Sequence, residues 1–233
     1  MKTAIIITAY FEDTPKKLHE LYSYFRGGNF DEDIFSDQKS SFFTLAADAG
    51  CKKASEAEIQ VDLIAGDFDS LNAGGDTVPS GIDTVRLPVK KDDTDTGWCI
   101  KHALSRGAER IIVLGGLGGR ADHTLGNLQL AAYAKEHGAS LWIADSFNIL
   151  TVIENETLEL KKKEGFKLSL LSFSDKCENL SVSGVLYPLS GATFDKCDIP
   201  LGVSNEFVDA SAKITVGNGK LIVAVSADPQ SVF

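Results

Sequence analysis

Six aspartates stand where the chain enters or leaves regular structure: Asp48, Asp67, Asp69, Asp92, Asp95 and Asp122. Taken singly, each reads as a helix cap or a turn residue. Several in one crevice require more. Two unit charges about 4 Å apart repel by roughly 4 kcal/mol at an effective dielectric near 20. A shared crevice therefore calls for protonation, a lysine or a metal. The donors are hard oxygens without a His/Cys set, which favours Mg²⁺, an ion that keeps waters and bridges carboxylates to substrate phosphates.

A second chemical signal is the glycine-rich turn Gly115-Gly116-Leu117-Gly118-Gly119, which follows an apolar run and opens onto Arg120-Ala121-Asp122-His123. A strand, a glycine turn and a helix start form a framework for phosphate, because N–H groups and the positive helix end point at the anion. Carboxylates there would repel bare phosphate, and Mg²⁺ between them and a polyphosphate resolves the conflict. Arg120 can donate a bidentate pair to phosphate oxygens or form a surface salt bridge. His123 could move a proton or simply pack at the helix start. Lys90 and Lys91 could neutralise phosphate or pair with the aspartates beside them, and Trp98 reads as core.

Two short motifs compete. Gly116-Leu117-Gly118-Gly119-Arg120-Ala121 fits the dinucleotide pattern G-x-G-x-x-A. LIAGDFDS fits the D-x-D strand end of aspartyl-phosphate phosphatases, with Asp67 as nucleophile. The G-x-x-x-x-G-K-[ST] phosphate loop is absent.

These residues need positioning elements. Residues 2–9, 42–47, 61–65, 84–87, 110–114 and 141–144 read as short apolar strands. Residues 15–25, 94–106 and 121–137 read as helices, the last two stopped by Gly107 and Gly138. Leu18, Leu21, Tyr22 and Phe25 share one face of the first helix. Such alternation predicts a mostly parallel sheet with helices on both faces. Ligands sit beyond the carboxyl ends of such strands, so Asp48, Asp67 and Asp69 are expected to line one crevice. Residues 26–41 are polar and uneven, a loop or an insertion. From about residue 150 the pattern is β only, and ITVGNGKLIVAV predicts a hairpin turning at Asn218-Gly219.

The chain has 233 residues and a net charge of -10. That charge speaks against a nucleic acid or an anionic membrane bound by general electrostatics. Cys51, Cys99, Cys177 and Cys197 form no CxxC pair and read as reduced cysteines of a cytosolic protein. The apolar run near the start is too short to span a membrane, and no cleavage-like site follows it.

Together, ADAG at 47–50, GDFDS at 66–70, KDDTD at 91–95, GGRADHTLGN at 118–127, GVLYPL at 184–189 and VSNEF at 203–207 resemble the thiamine pyrophosphokinase (thiamine diphosphokinase) family. The resemblance implies an α/β ATP- and Mg²⁺-binding domain, residues 1–148, then a smaller thiamine-binding β-sandwich, residues 149–233. It implies a cytoplasmic homodimer whose active sites lie between the ATP domain of one chain and the β domain of the other. The implied reaction moves pyrophosphate from ATP to the thiamine hydroxyl, giving thiamine diphosphate and AMP. By matching position, Asp67, Asp69, Asp92 and Asp95 form the catalytic and Mg²⁺ region. Asp48, Arg120, Asp122, His123 and Asn127 take the nucleotide side. Tyr187 stacks near the thiamine rings, while Ser204 and Asn205 hydrogen-bond the aminopyrimidine.

Overall fold

The apolar run Ala4–Ile7 has no polar face, as a strand covered on both sides requires. In the computed structural model it lies in β1 (Lys2–Ile7), where Ala4, Ile5, Ile6 and Ile7 are all fully buried. The structure describes residues 1–27, 41–68, 81–89 and 92–228. The chain divides after Ser146 into two compact units.

The first unit continues with α1 (Pro15–Arg26), β2 (Ser41–Ala47), α2 (Gly50–Glu56), β3 (Leu63–Gly66), β4 (Asp83–Arg86), α3 (Asp95–Ser105), β5 (Arg110–Leu114), α4 (Ala121–Glu136) and β6 (Ser140–Ala144). Its strands lie in the order β4-β3-β2-β1-β5-β6, and every neighbouring pair is parallel. Ile6 of β1 pairs with Leu45 on one side and Val113 on the other. From β1 the sheet grows one way to β4, whereas β5 and β6 extend it the other way. Between β1 and β5 the order therefore reverses, and ligand crevices in open α/β sheets form at such a point. Each crossover helix must start at the carboxyl edge of the sheet. The ends of β2 and β3, the glycine turn after β5 and the starts of α3 and α4 thus share that edge.

Local chemistry explains where the helices start. Thr14 caps α1 by accepting from the Lys17 N–H (3.3 Å), with Pro15 at the first helical position. That helix buries Leu18, Tyr22 and Phe25, a stripe at i, i+4 and i+7. Leu21, expected on the same face, is only half-buried. Trp98, expected in the core, is also half-buried and stacks on His102.

The second unit has β7 (Asn148–Glu154), β8 (Thr157–Lys161), β9 (Lys167–Ser172), β10 (Lys176–Ser183), β11 (Leu189–Asp195), β12 (Ser211–Thr215) and β13 (Lys220–Ser226). They form two antiparallel groups, β7-β13-β9 and β11-β10-β12-β8. Alternate residues face inward: Leu158 and Leu160, Leu168 and Leu170, Leu180 and Val182, Leu221 and Val223 are all buried. The fold class, a parallel α/β unit followed by a smaller all-β unit, is the one the sequence predicts.

The expected hairpin at Asn218-Gly219 does not form. β12 pairs with β8 and β10, whereas β13 pairs with β7 and β9. Asn218 instead exchanges main-chain hydrogen bonds with Glu178 (2.8 and 3.1 Å) and donates its side-chain amide to that carboxylate (2.9 Å). The Gly219 N–H donates to Asn155 Oδ1 (2.9 Å). Asn-Gly marks a sharp reversal, but these distant partners turn it into a corner between two sheets.

Candidate functional site

At the end of β2 the Asp48 N–H donates to the Ala65 carbonyl (2.8 Å), carrying the β2–β3 ladder one residue beyond the strand. Its φ of 48° turns the chain toward α2. Gly66 makes the close approach possible, since a β-carbon there would lie 2.8 Å from the Asp48 Cα. Asp48 and Asp67 therefore come from strand ends in direct contact. Asp48 Oδ1 is buried and has no hydrogen-bond partner among the described residues. An unsatisfied buried carboxylate oxygen is costly and suits a cation or a donor. Asp69, Lys90 and Lys91 lie outside the described residues.

The KDDTD stretch separates its acids by role. Thr94 caps α3, accepting from the Gly97 N–H (2.9 Å). Asp93 accepts from the Thr94 N–H (2.9 Å) and pairs with Lys101 Nζ (2.9 Å), so its charge is matched within the helix start. Asp92 is exposed, and Asp95 lies in the first turn. Beneath them, burial first and then the charges of Asp95 and Asp93 push the Cys99 thiol up to about 12. Among the described aspartates, none of those singled out is a helix cap: Thr14, Ala49, Thr94 and Arg120 hold those positions. No group of three metal-ligating side chains is preassembled among the described residues.

Gly115, Gly116, Gly118 and Gly119 all have positive φ, between 58° and 86°. The turn they form is tied down at its start. The Gly115 N–H donates to the Ala144 carbonyl (2.8 Å), and the Gly116 N–H to the Tyr10 carbonyl (3.0 Å). From α4 the buried Asn127 donates to the Gly116 carbonyl (2.8 Å). Asn127 thus shapes the turn from behind. α4 starts at Arg120 without a side-chain cap, which leaves its first-turn N–H groups to other acceptors. Arg120 makes a two-point contact with Asp122, Nε to Oδ1 at 3.1 Å and Nη2 to Oδ2 at 2.6 Å. That hydrogen bonding draws the Asp122 carboxyl below the usual range and raises the Arg120 guanidinium. Both side chains are exposed, so the pair is easily exchanged for a stronger anion. His123 is exposed and donates its N–H to Asp122 Oδ1 (3.0 Å).

In the second unit Tyr187 is 68% exposed. Asn205 accepts from the Tyr187 N–H (3.0 Å) and donates to the Tyr187 carbonyl (2.9 Å). Ser204 has a φ of 60° and donates its N–H to Ser169 Oγ (3.0 Å). Tyr187 and Asn205 are therefore hydrogen-bonded to each other across 18 residues of sequence, with Ser204 next to Asn205 in the chain.

Two family models fit this chain. "Thiamin pyrophosphokinase, catalytic domain" matches residues 37–143, and "Thiamin pyrophosphokinase, vitamin B1 binding domain" matches residues 155–221. The chain belongs to the thiamin pyrophosphokinase family. Thiamine pyrophosphokinase of Bacillus subtilis (strain 168) is 30% identical over 144 residues, 60% of this chain and 65% of that protein. Thiamin pyrophosphokinase 1 of Caenorhabditis elegans is 36% identical over 97 residues, 39% of each. The matches thus span less than two thirds of these relatives' own length. Among solved structures, thiamine pyrophosphokinase from Bacillus subtilis superposes with a TM-score of 0.77 at 23% identity, covering 98% of this chain and 100% of that one. Thiamin pyrophosphokinase from Candida albicans gives 0.73 at 14% identity, covering 97% and 89%. At such identities the structures establish a shared fold. The thiamin pyrophosphokinase catalytic match includes the described aspartates and the turn, and the B1-binding match includes Tyr187, Ser204 and Asn205. Thr8, Tyr10 and Glu12, which surround the glycine turn, were not expected from spacing. The only signal was that they follow the apolar strand β1.

Proposed function

We propose that this protein is a thiamine pyrophosphokinase, transferring the pyrophosphoryl group of ATP to the hydroxyl of thiamine to give thiamine diphosphate and AMP. The observation that supports this most is the shared carboxyl edge of the first unit. There the paired strand ends of Asp48 and Asp67 stand on the same side of the sheet as an uncapped helix start behind a glycine turn. The first unit takes ATP, and the second takes thiamine.

Phosphoryl-type transfer needs positioning and charge neutralisation more than a covalent nucleophile. The thiamine oxygen forms a bond to the β-phosphorus, and the bond from that phosphorus to the α–β bridging oxygen breaks as AMP leaves. The hydroxyl proton passes to a carboxylate of the cluster, Asp95 or Asp69. Arg120 and the turn hold phosphate oxygens, with Asp48, Asp122, His123 and Asn127 on the nucleotide side. Tyr187 offers an aromatic face to the cationic thiazolium, beside Ser204 and Asn205.

The donor set fits Mg²⁺. Its donors are all oxygens, Asp48 Oδ1 is an orphan, and Mg²⁺ needs only one or two carboxylates when phosphates supply the rest. Asp67, Asp69, Asp92 and Asp95 would hold it. When bound, it supplies positive charge against the phosphates. The assembly is a homodimer with sites between chains, consistent with the exposed Leu186, Ile199, Leu201, Val203 and Val208 of the second unit. A cytoplasmic location suits four free cysteines, and no described helix is long and apolar enough to cross a membrane.

The test is to incubate the protein with ATP, Mg²⁺ and thiamine and separate the products. AMP and thiamine diphosphate should appear in equal amounts, and EDTA should stop both. ADP with thiamine monophosphate would overturn the mechanism. Phosphate release without ATP dependence would favour the D-x-D phosphatase.

A further inference from the structure

We infer that Tyr10 is a positioning residue of the glycine turn, which its carbonyl grips at Gly116 and its ring backs at Gly118 and Gly119, fixing where the turn's N–H groups face. This rests on the reading that the turn receives the phosphates of ATP.

Tyr10 follows β1, at the place where the strand order reverses beside β5. Its carbonyl accepts from the Gly116 N–H (3.0 Å) and from Thr8 Oγ1 (3.1 Å), so the main chain here is held from two sides. The ring then lies across the far half of the turn. A β-carbon at Gly118 would sit 3.3 Å from Cε1 and 3.4 Å from the hydroxyl oxygen. At Gly119 it would sit 2.5 Å from Cε2 and 2.7 Å from Cζ. Real β-carbons do not approach that closely.

The Gly119 φ of 58° sharpens the point. It falls in the left-handed region that asparagine and aspartate also visit. A side chain at Gly119 would meet the Tyr10 ring in addition to the strain of that backbone. The ring is itself anchored, because its hydroxyl donates to Glu12 Oε1. That bond raises the phenol above its ordinary value, so the hydroxyl keeps the proton it donates.

The experiment compares Tyr10→Phe, Tyr10→Ala, Gly119→Ala and the double variant Tyr10→Ala/Gly119→Ala. ATP affinity is read by calorimetry, KM and kcat by product formation, and folding by thermal melting. Tyr10→Ala should weaken ATP binding and raise its KM by ~10-fold or more, with a smaller fall in kcat and the thiamine KM within about twofold. Tyr10→Phe keeps the wall and should stay within about threefold of wild type. Gly119→Ala should cost ~10-fold in the native background but no more than about threefold once the ring is gone, a non-additivity that only contact explains. Should Tyr10→Ala unfold, Tyr10→Leu fills the space without a flat ring and is scored the same way. The inference is overturned if loss of the ring leaves ATP affinity within about twofold, or if the two substitutions are additive. A wild type that binds ATP yet releases no AMP sinks the catalytic reading alone, and the affinities still decide Tyr10. A wild type that binds no ATP sinks both.

Discussion

Asn205 holds both main-chain groups of Tyr187, its side-chain oxygen on the N–H and its side-chain nitrogen on the carbonyl. The same oxygen also accepts from the Glu206 N–H (3.0 Å). An amide oxygen has two lone pairs, and both are used. Flipping the amide would set NH₂ against two N–H donors, so its orientation is fixed by the network. Toward a ligand, Asn205 has one N–H left and no acceptor.

The first prediction follows. Asn205→Ala should raise the thiamine KM by ~10-fold or more while the ATP KM barely moves. Asn205→Asp, which keeps an acceptor but sets a carboxylate against the Tyr187 carbonyl, should be no better. The alanine variant loses three hydrogen bonds, which costs about 2–4 kcal/mol in stability. Steady-state kinetics with each substrate varied would check it, and an unchanged thiamine KM in both variants would contradict it.

The two acids of the α3 start that Lys101 does not neutralise should carry turnover. Asp92→Ala and Asp95→Ala are each expected to lower kcat/KM by roughly 10²-fold or more, the scale of losing one group that offsets developing charge. Thiamine affinity should persist. Asp93→Ala should act differently, lowering the melting temperature with less effect on turnover.

Thr94→Ala removes the cap that seats those acids. It should cost about 1 kcal/mol and lower the melting temperature by about 2–4 °C. Thr94→Ser should recover most of the loss, because its hydroxyl can still accept from the Gly97 N–H. Thermal melts of the three proteins decide it.

Cysteine labelling offers a test independent of catalysis. Cys51, Cys99 and Cys177 are buried, and Cys197 is exposed. Brief alkylation of the folded protein followed by peptide mapping should find Cys197 alone modified. Cys99, its thiol pushed up to about 12, should be unreactive until denaturant is added.

His102 lies flat on Trp98, with ring centroids 5.0 Å apart and planes 11° from parallel. Burial first, and Arg106 second, lower its pKa below the ordinary 6.5. Protonation is therefore harder in the folded state than in the unfolded one. Stability from this site is full above the unfolded value and drains as pH falls below it toward the folded value. Between about pH 7.5 and 5.5 the wild-type melting temperature should fall more than that of His102→Gln. Parallel slopes would show that His102 does not contribute.

Much of the first unit was legible because its signals are local. Ile5–Ile7 and Ile111–Leu114 announce buried strands, and parallel strands bring their carboxyl ends together whatever their order. That is why Asp48 and Asp67 could be expected to meet. The order itself was not legible, since it depends on Ile6 choosing Leu45 and Val113 as neighbours across long separations. Tyr10 is not legible for the same reason: its contact with Gly119 joins two segments that no periodicity links. In sequence Asn205 suggests a ligand contact, but its bonds to Tyr187 depend on where a loop some distance away returns. Asn218-Gly219 reads as a reversal, which it is, but not as the hairpin its flanks suggest, because Glu178 and Asn155 decide which sheet each flank joins.

That corner sets an order of assembly during synthesis. Ile153 on β7 is made early, yet its partner Leu221 on β13 emerges only after every other strand of the second unit. β9 waits for the same strand, through Leu168 and Val225. β8, β10, β11 and β12 can pair among themselves as they leave the ribosome, but β7 and β9 lack the strand that lies between them until the chain has rounded Gly219. Such distant pairing is slow to form. A message cut short just before Lys220 would yield one finished sheet beside two strands with nothing between them.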